Sequence, residues 1–234
     1  MSWQPNSSVY DSPTSRVLAE ESARTFMQRV YAWMTAGLFL TGGVAFAVAS
    51  SRAAMSIVMP LFFPIVVVEL LVVVAFSFLS SKVNGVVAGL MFTVYALLNG
   101  LLFSSLFLTY QLGSIASSLF ITAGAFGTMS VYGTVTKKDL SGWASFLFMG
   151  LVGIILAGIV NIFLQSDLLG FVKSCAAIVV FAGLTAYDTQ KLRQFHANSG
   201  YSSAASLAIT GALMLYLDFV NLFLNILQLM NRRR

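Results

Sequence analysis

Asp188, in Leu184-Thr-Ala-Tyr-Asp-Thr-Gln, and Asp218, in Leu213-Met-Leu-Tyr-Leu-Asp-Phe-Val-Asn, are carboxylic acids inside stretches that are otherwise apolar. An ionisable side chain at the centre of a bilayer costs roughly 2.5–3.5 kcal/mol on insertion scales and marks a functional site by default. Two close carboxylates in a low dielectric cannot both ionise cheaply, so such a pair shares a proton and titrates as a unit. A shared-proton pair is suited to a pH-sensing gate. Fully ionised, the same pair offers hard oxygen ligands of the kind Ca²⁺ takes. The plainer reading pairs Asp188 with Lys191 or Arg193 as an interfacial salt bridge. Both readings stand on the sequence alone.

These acids need a helix face to carry them. Asp218, Asn221, Asn225 and Gln228 are spaced i, i+3, i+7, i+10, with Gly211 seven residues before Asp218, which places all five on one face. A polar stripe of this kind turns to a bundle interior or a water-filled path rather than to lipid. Leu213, Leu217, Val220, Leu224 and Leu227 make the other face apolar. The pattern predicts a central helix wrapped by others. Glu69 is a third acid in an apolar segment, behind Pro60 and Pro64, which can bend it. It is a candidate for lining a path or for hydrogen-bonding a neighbour. Tyr95 and Asn99, four residues apart, and Asn161 are candidates for the same polar interior.

Composition says where these segments sit. Only 9% of the 234 residues are charged and 58% are hydrophobic, against about a quarter charged in a soluble domain. The chain is therefore expected to be an all-α polytopic membrane protein whose surface faces the lipid bilayer. Seven apolar segments cover 30–49, 57–79, 83–110, 115–135, 143–164, 168–189 and 204–230. Strands cannot span lipid unless they close into a barrel, and the runs lack the alternation of barrel strands. The connections are short, so function is expected within the membrane or on its faces. Residues 1–25 read as a disordered and then interfacial tail, without a cleaved signal peptide, and 26–234 as the seven-helix domain. Gly85 with Gly89, Gly124 with Thr128, and Gly150 with Gly153 are spaced for close helix packing.

The net charge of +5 sits mainly at the two ends, which is a membrane-flank pattern and not a nucleic-acid footprint. With the N-terminus cytoplasmic, most basic residues fall inside, although the Arg232–Arg234 tail falls outside. Cys175 excludes an internal disulfide. His196, the one histidine, cannot build a usual zinc site. No phosphate-cradling loop and no nucleophile with a base is evident, and no cofactor is expected. The aspartates lack the glycine neighbours of intramembrane aspartyl proteases. The chain does not read as an enzyme.

Several motifs, in order, carry a family resemblance. Thr185-Ala-Tyr-Asp-Thr-Gln-Lys-Leu and Leu215-Tyr-Leu-Asp-Phe-Val-Asn-Leu-Phe-Leu resemble the last two helices of the Bax inhibitor family, the transmembrane Bax inhibitor motif proteins. Tyr132-Gly-Thr-Val-Thr-Lys-Lys-Asp-Leu-Ser-Gly resembles the family's loop after the fourth helix, and Asn99-Gly-Leu-Leu-Phe-Ser-Ser its third helix. The short loops are most similar to bacterial inner-membrane members. The resemblance implies seven helices with six surrounding the last, and a pH-dependent Ca²⁺ leak sensed by paired aspartates at Asp188 and Asp218. It also implies an acid on the second helix at Glu69. Some members carry a basic latch, for which Lys82 is the nearest candidate here.

The expectation is a pH-sensitive cation leak channel, for Ca²⁺ or H⁺, gated by Asp188 and Asp218, with Glu69, Asn99, Asn221 and Asn225 along a path. Lys82, Lys191 and Arg193 are candidate salt-bridge partners. Two alternatives differ in class. One is an interaction protein that modulates a membrane-protein partner such as a quality-control protease. The other is a proton-coupled small-solute transporter.

Overall fold

The computed structural model describes residues 13–195 and 203–232. Residues 1–12 of the tail expected over 1–25, and His196, lie outside the described residues. Among the described residues seven helices are long and apolar enough to cross a membrane, so the chain is an all-α, multi-pass membrane protein.

The helices are α1 (Pro13–Ala49), α2 (Arg52–Val58), α3 (Phe62–Leu79), α4 (Gly85–Phe103), α5 (Leu106–Thr109), α6 (Leu112–Val135), α7 (Ala144–Leu164), α8 (Asp167–Phe195) and α9 (Ala204–Asn231). The stretch read as interfacial is helical from Pro13 and runs into the first span. Local signals set several ends. Ser51, Asn84 and Ser203 accept from the backbone N–H three residues on, at 3.3, 3.0 and 3.1 Å, the usual N-cap arrangement. At the end of α7, Gln165 takes φ 48°, and Asn161 Oδ1 accepts from the Ser166 N–H at 3.0 Å. Asn161 therefore serves a turn and not the polar interior expected for it.

Two of the expected segments are broken. The second does not begin at residue 57: α2 stops at Val58 and α3 starts at Phe62. Pro60 sits in the break and Pro64 in the first turn of α3, where a missing N–H is tolerated. The prolines start the span instead of bending it. The third segment breaks at Ser104 and Ser105. Their hydroxyls donate to the carbonyls of Leu101 and Leu102 at 2.6 and 2.7 Å, a local bond that competes with the helix ladder.

Short connections make the spans alternate in direction. One end of the bundle, the first end, carries the start of α1, the turns 80–84 and 136–143, the end of α8 and the start of α9. The second end carries 50–61, 110–111, 165–166 and the end of α9. In the loop at the first end, bonds from the Ser141 backbone N–H and hydroxyl hold the Asp139 carboxyl below the usual carboxylate range.

α9 is the axis. α1, α4, α6 and α8 pack along it, while α3 packs chiefly on α4 and α7 on α8. Leu215, Tyr216 and Leu222 of α9 are completely buried. Between helices in lipid there is little hydrophobic drive, so close packing and interhelical hydrogen bonds hold the bundle. Tyr216 meets Phe92 and Tyr95 edge to face at 5.7 and 5.8 Å, and Phe219 meets Phe126 at 5.5 Å. Each such pair is worth about 0.5–1.5 kcal/mol. Tyr216 Oη and Thr41 Oγ1 are hydrogen-bonded at 2.7 Å, and Thr41 also donates to the Ala96 carbonyl at 3.0 Å. α1, α4 and α9 are joined there.

The small residues divide. Gly85 lies against Ala205, Gly89 against Trp33 and Ile209, and Gly150 against Val180. Gly124 and Gly153 meet nothing, and Thr128 bonds back to the Gly124 carbonyl, so those positions do not serve the packing expected of them. Among the glycines the closest approach to another backbone is at Gly133, where any Cβ would overlap the Ala186 carbonyl. It lets α6 and α8 touch main chain to main chain.

α3 depends on one polar tether. Asn99 Nδ2 and the Tyr95 hydroxyl both donate to the Glu69 carboxyl. Asn99 Oδ1 is buried without a partner. Glu69→Gln keeps an acceptor for Asn99 and is expected to leave thermal melting in detergent nearly unchanged. Glu69→Ala is expected to cost about 0.5–2 kcal/mol, the range of interhelical hydrogen bonds and of a buried donor left alone. Gly133→Leu is expected to cost about 1–3 kcal/mol or to prevent folding, while Gly153→Leu melts like the parent.

Candidate functional site

The stretch of α8 from Thr185 to Arg193 gives nearly every residue a contact. Ala186 lies against Gly133. Thr189 Oγ1 bonds Ser130 Oγ at 3.2 Å, and Ser130 bonds the Tyr31 hydroxyl, joining α8, α6 and α1. Gln190 clasps the loop after α6: its Oε1 accepts from the Leu140 N–H and its Nε2 donates to the Lys138 carbonyl, both at 2.8 Å. Arg193 donates to the Thr134 carbonyl. Leu192 occupies the space beside Gly211 and Val30. These contacts fix the register of α8 and so fix where Asp188 points.

Asp188 points at Asp218. The two carboxyls are in hydrogen-bond contact. Asp218 is 5% exposed and lies near the middle of α9, about 21 Å from Ala204 at 1.5 Å per residue. Its Oδ2 is buried with no donor group beside it. An ionised carboxylate only accepts, so a hydrogen bond between two carboxyls can form only when one of them is protonated. The structure thus brings together the pair that the sequence marked. Lys191 lies 5.4 Å from the Tyr187 ring centroid and close enough to Asp188 to act on it electrostatically. Arg193 is engaged with α6. Lys82 is exposed in the turn before α4, and no ion pair among the described residues joins it to either aspartate.

The pair lines a cleft of about 680 Å³ between α7, α8 and α9. Asn221, Asn225 and Gln228 line it too, as the helical spacing required. Leu217 and Leu224, assigned by the sequence to the apolar face, lie on the cleft as well. Asn221 and Asn225 each donate an amide N–H to the carbonyl four residues back at 2.8 Å, which leaves the carboxamide oxygen as the group available to the cleft. Gln228 Oε1 accepts from Ser174 Oγ at 2.9 Å. From the aspartates the cleft runs toward the second end, past Gly158 and Tyr110. Toward the first end the interior is packed, with Val30 and Leu192 against Gly211.

Glu69 and Asn99 do not reach this cleft. They form a second polar cluster on the α3–α4 side of α9, next to Tyr216. Lys173 does reach it, and sequence reading passed over it. The signal was present: Lys173, Ala177, Phe181, Leu184 and Asp188 follow one helical face at steps of four, four, three and four. A lone cation in an apolar span is as informative as a lone acid. Among the described residues no group of three or more His, Cys, Asp or Glu gathers to hold a metal ion.

Residues 23–234 match the model of the family Bax1-I, described as inhibitor of apoptosis-promoting Bax1. The chain is 42% identical over 217 residues to inner membrane protein YbhL of Escherichia coli K12, covering 90% of this chain and 93% of that one. It is 42% identical over 215 residues to an uncharacterised protein of Deinococcus radiodurans, covering 91% and 93%. It is 38% identical over 218 residues to protein RP147 of Rickettsia prowazekii, covering 92% of each. The buried aspartate pair and its seven-helix frame thus sit in a chain that belongs to the Bax inhibitor family.

Proposed function

We propose that this chain forms a pH-sensitive leak path for cations, Ca²⁺ in particular, across a bacterial inner membrane, gated by Asp188 and Asp218. The contact between the two carboxyls, which only a shared proton permits, carries the reading. With one proton shared, the pair ties α8 to α9 and the path is closed. When that proton leaves, two negative charges in a low dielectric repel, the helices part and the oxygens are free to meet a cation. With both groups protonated, attraction for a cation falls again. Flux therefore rises as pH rises through the loss of the shared proton.

The donor set suits passage rather than retention. Ca²⁺ takes 6–8 oxygen ligands. Two carboxylates and the carboxamide oxygens of Asn221 and Asn225 supply part of such a shell and leave the rest to water. An ion held in this way is bound weakly enough to leave, as conduction requires. The similarity to an inner membrane protein supports the location. The N-terminus is cytoplasmic in this reading, because Arg24, Arg29, Lys82, Lys137, Lys138, Lys191 and Arg193 share the first end, and basic residues concentrate on the cytoplasmic side. The cleft then opens to the outer face, and Lys173 stands in it as a fixed positive charge that slows cation entry.

Ca²⁺ entry into dye-loaded proteoliposomes, followed over an acid-to-alkaline pH series, tests the gate. The parent is expected to show flux that rises several-fold with pH, and Asp188→Asn and Asp218→Asn to flatten that response. An unaltered response in Asp218→Asn overturns the mechanism, and no flux above empty liposomes favours the interaction-protein reading. Lys173→Gln is expected to raise flux several-fold while leaving the pH of half-maximal response in place. A lowered flux in that variant would show that Lys173 does not oppose cation entry.

A further inference from the structure

At the second end, donors from three helices meet over Gly170 of α8. The Asn161 amide of α7 is fixed in orientation, because its Oδ1 accepts from the Ser166 N–H at 3.0 Å. Its Nδ2 lies 3.2 Å from the point where a Cβ on Gly170 would stand. The same Cβ would overlap the guanidinium of Arg232, which follows the end of α9 and lies across α8 at this glycine. Arg232 Nη1 donates to the Asp167 carbonyl, which leaves Nη2 over Gly170. Lys173, three residues on, is close enough to Arg232 for the two cations to repel. Its stem passes Gly158 of α7, with Cδ 4.0 Å from a Cβ position there. Side chains on a helix lean toward its N-terminus, which for α8 is the second end, so the ammonium is carried toward Arg232. Among the described residues no ion pair joins either cation to an acid, and Asp167 gives Arg232 its carbonyl alone.

We propose that this saddle binds the phosphate group of an anionic phospholipid. Two cations and an amide donor with no acid between them are the complement of an anion, and the guanidinium fork suits phosphate oxygens. The site lies at headgroup level, beside the connection 165–166. Lys173 starts about 9 Å inside the end of α8, at 1.5 Å per residue, and Arg232 stands beyond the last turn of α9. The saddle opens to lipid, since Leu164 and Leu168 beside it are 62% and 73% exposed. Basic pockets between spanning helices take lipid headgroups in this way. Charge selects the lipid: the ammonium of phosphatidylethanolamine is repelled by Lys173 and Arg232, whereas phosphatidylglycerol brings no cation. The site stands whether or not the cleft conducts ions.

The full chain in neutral detergent, titrated with phosphatidylglycerol and followed by native mass spectrometry, tests this. One tight adduct is expected, with phosphatidylethanolamine binding more weakly. Lys173→Gln and Arg232→Gln are each expected to weaken that adduct about tenfold, the size of one charge-assisted hydrogen bond. Lys82→Gln, which removes a cation at the first end, is expected to leave it unchanged. Gly170→Ala keeps every charge but displaces the Arg232 guanidinium, and is expected to weaken the adduct as well. Equal loss in Lys82→Gln, or an adduct undiminished in Gly170→Ala, would reduce the effect to net charge and overturn the proposal. Equal binding of phosphatidylethanolamine would overturn the anionic headgroup as occupant. Inorganic phosphate that displaces phosphatidylglycerol at comparable concentration would assign the saddle to the free anion and overturn the lipid.

Discussion

A carboxyl group in hydrocarbon has to be matched before helices can close around it, and the placement of α9 follows from that constraint. Asp218, Asn221, Asn225 and Gln228 on one helix leave it no stable position facing lipid. Surrounded by α1, α4, α6 and α8, it puts the polar face on a cleft and its aromatic residues into the packing. Asp218 then needs a partner from outside its own helix, because the backbone of α9 is already bonded within itself. Asp188 is that partner. The bundle is thus organised around a pair of carboxyls held between two of its helices.

The remaining polar contacts serve position. Thr189, Gln190 and Arg193 hold α8 to α6 and to the loop after it, and Gly133 brings the two backbones together. With little hydrophobic drive between helices in lipid, such bonds and close approaches decide register. α3 and α7 lack this density of contacts. Each packs chiefly on one neighbour, and α3 carries its single acid on the side facing α4. The inner helices are fixed from several sides and the outer two from one.

Much of this was legible in the sequence because lipid restricts the choices. A seven-segment pattern, an amphipathic last helix and two isolated acids each have few structural solutions in a bilayer. The spacing of Asp218, Asn221, Asn225 and Gln228 gave the face directly, and Asp188 lies opposite it. What was not legible depended on local competition or on three-dimensional neighbours. The breaks at 59–61 and 104–105 come from proline placement and serine back-bonding, which apolar periodicity does not register. Leu217 and Leu224 lie on the cleft because its wall is wider than the polar stripe. Gly124 and Gly150 look alike in sequence, and only the position of Val180 gives one of them a packing role. Glu69 and Asn99 pair with each other and with Tyr95, a local solution on the far side of α9.

Tyr216 and Asp218 are two residues apart, about 200° around the helix. One is bonded to Thr41 and packed beside the Glu69 cluster, and the other is bonded to Asp188. α9 therefore acts as a shaft with a fitting on each side. A rigid turn of the shaft that withdraws Asp218 from Asp188 carries Tyr216 through the same angle. The two acid clusters, on opposite sides of the bundle, thus share one rigid element, and a rotation of α9 reaches both.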